Sequence, residues 1–215
     1  MSGFKEHLKA IIPHPRLMVL SAALYIYGFV SNALGAAGSY GFLTGDMNVC
    51  FSHYPGFRAQ FIDYLGGVAL GIFISNIKQV LLFIFTLTTA APVLNLFVLA
   101  GGLLHALISR MGLYGILVYA GTLHIHLEVV GCLLSLEAAA VFFYSLMKSV
   151  YAGSAEPFKR AFRERLVFLL PVILLVFAAA AILEVFWSTW WVYTLTKQQV
   201  SWSYFHGHVC SVHVG

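Results

Sequence analysis

Apolar residues run through this chain in blocks of helix length, without the strict alternation that marks a half-buried strand. The first block reaches from about Leu17 to Gly38. A second, Leu65 to Ala91, is interrupted by Asn76, Lys78 and Gln79 and ends at Pro92. A third, Val93 to Ser109, stops at Arg110, Met111 and Gly112. The fourth, Leu113 to Met147, is too long for one crossing, since about 20 residues span a bilayer. Thr122, His124, His126 and Glu128 lie near its first third, so it reads as a short opening segment, a break near Gly121 and Thr122, and a full helix from about His124. The fifth block, Leu166 to Trp191, holds Glu184. The pattern predicts an all-α, polytopic transmembrane helical bundle of about five spans with a long or broken fourth helix.

Composition agrees. Sixty per cent of the residues are hydrophobic, 9% are charged and the mean hydropathy is +0.88. A water-facing domain carries roughly 25% charged residues, so a soluble globule is excluded and the first expected partner is the lipid bilayer. The blocks are continuous, unlike the alternating ten-residue segments of an outer-membrane barrel. The net charge of +4 is scattered rather than gathered into a patch, which argues against nucleic-acid binding. The first apolar block lacks a small-residue cleavage site, so no cleavable signal peptide is expected.

Five crossings place the termini on opposite sides. Lys5, Lys9 and Arg16 precede the first span, and Lys148, Lys159, Arg160, Arg163 and Arg165 lie between the fourth and fifth. The opposite side holds only Arg58, Arg110 and Lys197. This excess is the positive-inside signal, and it predicts a multi-pass cell-membrane protein with a cytoplasmic amino terminus. Residues 1–215 then form one transmembrane domain with an external loop at 39–64, a cytoplasmic basic loop at 148–165 and an external His-rich tail at 192–215. Trp187, Trp190, Trp191 and Tyr193 are expected to anchor at the outer interface.

The sharpest chemistry is carried by polar groups inside the spans: Asn76, Lys78, Asn95, His124, His126, Glu128, Glu137 and Glu184, with His105. A charge at mid-span costs about 2.5 to 3.5 kcal/mol even on lenient scales, so such groups are expected to face the bundle interior with partners. Lys78 is expected to pair with Glu184 or Glu128. His124 and Glu128 stand four residues apart on one helix face and suggest a His–carboxylate hydrogen bond. Helix tethering, a proton or ion path, and a metal site are the three readings of that pair. Cys132 reads as a small buried hydrophobe, and Gly101 and Gly102 as a point of close helix packing. No paired nucleophile and base is visible, so no catalytic residue and no enzymatic activity are expected.

Outside the spans, His206, His208, Cys210 and His213 form a ligand-rich tail, with His53 and Asp46 in the loop. That set suits zinc or copper; a tail without metal, and so no cofactor at all, is the alternative. The topology puts Cys50 and Cys210 in one compartment, where a disulfide or two free thiols are the choices.

The order of polar marks resembles the stage II sporulation protein M family of integral membrane proteins. The resemblance rests on Asn76 in its apolar helix, on Asn95 opening the next, and on His124, Ile125, His126, Leu127 and Glu128 opening a long helix with Ala138, Ala139 and Ala140 further on. The last span matches in Ala180, Ala181, Ile182, Leu183, Glu184, Val185 and Phe186. It covers about Gly66 to Phe186. It implies a non-enzymatic membrane scaffold or assembly factor with protein partners or a homo-oligomer. A channel or transporter for ions or small solutes, using the intramembrane His, Glu and Lys residues, is the alternative.

Overall fold

The computed structural model describes residues 11–35 and 58–188, with Trp191 and Leu195. These residues are helical throughout apart from short turns. Helix α1 is Pro15–Ala33, α2 Arg58–Thr86, α3 Ala90–Met111, α4 Leu113–Gly121 and α5 Leu123–Ala152. A last helical run follows: α6 Glu156–Ala161, a π-helical turn Phe162–Leu166, α7 Val167–Leu183 and a second π-helical turn Glu184–Ser188. Among the described residues, five helices are long and apolar enough to cross a membrane, ending with the run Glu156–Ser188. The chain is therefore a multi-pass helical bundle, as its apolar blocks predict.

Local sequence explains several ends. Pro15 takes the first position of α1, where a missing N–H costs nothing, and the His14 ring caps the turn by accepting from the Arg16 N–H. Gly153 ends α5 in the left-handed conformation, φ +59°. Its N–H bonds to the Val150 carbonyl and the next N–H to Ser149, which closes the last turn.

Helix α1 runs parallel to α3. Leu24 shares a groove with Asn95, Gly28 meets Val98, and Asn32 meets His105, so contacts advance together along both helices. Gly28 and Gly101 make that approach, because a β-carbon at either would overlap the facing backbone. The close packing expected of Gly101 is thus present. The fourth crossing and the last helical run are antiparallel, as the pairs Glu137–Arg165, Gly131–Phe177 and Gly121–Trp187 show. Between α2, α3, α5 and α7 lies a core that includes Phe83, Ile84, Phe97, Leu134, Leu169, Ile173 and Phe177. Lipid tails are as apolar as these side chains, so this packing contributes through contact and shape rather than through escape from water.

Two predicted segments take a different form. The loop placed at 39–64 gives way to helix at Arg58, because the Gly66 to Thr86 span continues as helix toward its amino end. The basic loop placed at 148–165 is almost wholly helical: α5 runs on to Ala152 and α6 follows after a turn at Gly153. Phe158 holds that return, its N–H donating to Ser149 Oγ at 2.9 Å and its ring set edge-on to Phe142. Most of the His-rich tail lies outside the described residues, with His206, His208, Cys210 and His213. So do Cys50, His53 and Asp46.

Candidate functional site: a polar network between broken helices

The fourth span breaks at Thr122, where φ is −80° and ψ is +67°. A break within hydrocarbon frees carbonyls that no water can satisfy. Here side chains satisfy them. Thr122 Oγ1 donates to the Val118 carbonyl at 2.7 Å, and the Trp191 indole donates to the same oxygen at 3.2 Å. The Trp187 indole donates to the Gly121 carbonyl at 2.9 Å. His126 Nε2 lies 3.1 Å from the Tyr119 carbonyl. A carbonyl only accepts, so Nε2 carries the proton. The two indoles stack, with centroids 5.7 Å apart and planes at 16°. Trp187 and Trp191 therefore cap the break, a use that the expectation of interfacial anchoring did not foresee. A β-carbon at Gly121 would collide with the Trp191 ring, which explains the glycine.

One turn further along α5, Glu128 Oε1 accepts from Asn76 Nδ2 of α2 at 2.9 Å. Glu184, at the α7 boundary, is close enough for its charge to act on Glu128. Asn76 and Glu128 line a cavity of about 80 Å³ with Gln79, Cys132 and Phe177. Two of the resemblance-bearing residues, Asn76 and Glu128, are thus joined across α2 and α5. Cys132 is a buried thiol in this apolar setting, in line with its expected role.

Three expectations about the network need correction. His124 is 8% exposed and its Nδ1 has no hydrogen-bond partner, so the His124–Glu128 bond does not form; Glu128 turns to Asn76 instead. Lys78 pairs with neither Glu128 nor Glu184. It sits on the outer face of α2, two residues round the helix from Asn76, and has no ion pair among the described residues. Asn95 is also exposed, on the groove beside α1, and stands apart from the network.

Glu137 does take part, but with a cation expected in the basic loop. Its Oε1 lies 2.6 Å from Arg165 Nη2, and its Oε2 accepts from the His14 N–H at 2.8 Å. One carboxylate so ties the start of α1 and the start of the last span to the middle of α5. Two further ties carry no mark in the pattern of charges. Asn32 Oδ1 lies 2.6 Å from His105 Nδ1, with the Phe29 ring edge-on to the imidazole. The Tyr25 hydroxyl donates to Tyr119 at 2.9 Å. The first of these had a signal: Gly28 and Asn32 stand four apart on α1, as Gly101 and His105 do on α3. A small residue and a polar one on the same face of two helices mark where backbones meet and side chains bond.

A Trp187→Phe variant removes one indole N–H and leaves the Gly121 carbonyl open. We expect a loss of about 1 kcal/mol, in the range measured for interhelical hydrogen bonds in membranes. Denaturation in detergent micelles reads it; an unchanged midpoint removes the capping role.

The fold and site define a polytopic helical membrane protein braced by polar contacts between its spans. No family model, curated protein or solved structure matches the chain. Among the described residues, no group of three or more His, Cys, Asp or Glu is placed to hold a metal.

Proposed function

We propose that this protein is a non-enzymatic membrane scaffold of the stage II sporulation protein M type, oriented with its amino terminus in the cytoplasm. The observation that carries the reading is where the interior polar groups go. Asn76–Glu128 joins α2 to α5, Glu137–Arg165 joins α5 to the last run, Asn32–His105 joins α1 to α3, and Tyr25–Tyr119 joins α1 to α4. Each pair commits a polar atom of both partners to tying two helices together. A conduction path needs polar groups that stay open to a passing ion and leave it free to depart. The Asn76–Glu128 bond adds support, since the resemblance names both residues, although Asn95 and His124, which it also names, do not join them.

One set of observations favours transport as the second reading. The helix breaks at Thr122, the His124 Nδ1 beyond it is unbonded, and a small cavity borders Glu128. Broken helices with polar groups at mid-membrane accompany transporter sites. Proteoliposomes separate the two readings. For the scaffold, proton, sodium and potassium flux stay at the level of empty vesicles. A flux above that level, lost in a folded Glu128→Gln variant, overturns it.

A further inference from the structure

We infer that the outer face of α2 is an intramembrane docking surface for a partner's transmembrane helix bearing an aspartate or glutamate, with Lys78 as the contact; this rests on the scaffold reading.

Lys78 carries the inference. It lies within the apolar span Gly66–Thr86, on the surface of the bundle, in a groove of about 570 Å³ shared with Ile74, Leu82 and Phe85. Eight residues separate it from Thr86, about 12 Å along the helix, and 12 residues from Gly66, about 18 Å. The hydrocarbon layer is about 30 Å thick, so the ammonium begins well inside it. A helical side chain leaves its backbone tilted toward the helix amino terminus. For Lys78 that is away from the nearer end, which works against snorkelling to the headgroups. A cation so placed needs an anion.

Among the described residues the fold does not supply one. Glu137 is held by Arg165, Glu128 by Asn76, and Glu184 sits beside Glu128; all three are buried or half-buried. A second copy does not supply one either. A two-fold contact between α2 faces would set Lys78 against its own counterpart, and like charges repel. The complementary occupant is a different helix carrying a carboxylate. The rest of the face suits a helix: Gly67, Gly71 and Ser75 recur every four residues on the exposed side, and nothing lies within 4 Å of a β-carbon built at either glycine. Such small residues let backbones approach.

The test uses the full chain in phosphatidylcholine vesicles with a labelled single-span Leu/Ala helix carrying one aspartate at the depth of Lys78. Energy transfer reads association. Replacing that aspartate by leucine, or Lys78 by leucine, weakens association by about tenfold, as expected for an interhelical contact worth roughly 1.4 kcal/mol. A Lys78→Glu variant then prefers a helix carrying lysine. Lys78 is exposed, so its substitution leaves the interior intact, and an unchanged melting midpoint checks this. Equal binding of the aspartate and leucine helices overturns the proposal. So does self-association of the chain that disappears in Lys78→Leu. Flux in the vesicles alongside a retained aspartate preference defeats the scaffold reading alone; no flux and no preference defeats the docking face alone.

Discussion

An Arg165→Ala variant is expected to lose about 3 kcal/mol of stability in micelles, the largest loss from any single truncation of the polar network. The reason is what it leaves behind. Glu137 is 2% exposed, and Arg165 is its cation. Removing one partner of a buried pair typically costs 3–5 kcal/mol because the remaining charge is uncompensated. Arg165 is partly open to its surroundings, at 37% for the side chain, which places the expected loss at the low end. Removing both charges tells a different story. Glu137→Leu with Arg165→Met restores most of the loss, since apolar groups can fill a site that no longer holds an ion. The His14 N–H bond to Glu137 is lost in the double variant, so recovery is incomplete. Steric-trapping or denaturant titrations of the two variants check this. Equal stability of Arg165→Ala and wild type would sink the account of the junction.

The second large effect lies where α1 crosses α3. A Gly101→Leu substitution puts a side chain into the Tyr25 carbonyl, and Gly28→Leu does the same at Val98. The obstacle is backbone on a neighbouring helix, so no rotamer change relieves it. Overpacking typically costs 1–3 kcal/mol and occasionally more. Rigid backbone on both sides puts these two at or above the top of that range, about 3 kcal/mol. Separation of the helices also breaks the Asn32–His105 bond one turn away. Gly71→Leu on α2 is the matched control, because its β-carbon meets nothing in the fold. A micelle denaturation series in which all three variants behave alike would contradict the assignment.

The spans were legible because the bilayer imposes one requirement on every residue of a crossing helix. Length and apolarity alone located five of them, and the run from Thr122 to Glu128 betrayed the break. Partners were less legible, since side-chain pairing depends on helix rotation and height, which a hydropathy pattern does not hold. Lys78 and Asn76 are two residues apart and so point to different sides of α2; only Asn76 faces inward. Glu137 lies midway along the 30 residues of α5, and the hydropathy pattern does not say what stands level with it. Its height matches His14 and Arg165, at the starts of two other spans. The capping by Trp187 and Trp191 was hidden for a further reason. Indoles near the end of an apolar block suit the interface equally well, and only the position of the break distinguishes the two uses.

The break at Thr122 also constrains the order of assembly. The Gly121 carbonyl is closed by the Trp187 indole, and the Trp191 indole joins Thr122 Oγ1 on the Val118 carbonyl; both indoles leave the ribosome some 65 residues after the kink itself. Until then that stretch either stays a straight helix or shelters its oxygens against the insertion machinery. Arrival of the final crossing is thus the event that lets the bend form, and chains halted before Trp187 should keep the fourth crossing unkinked.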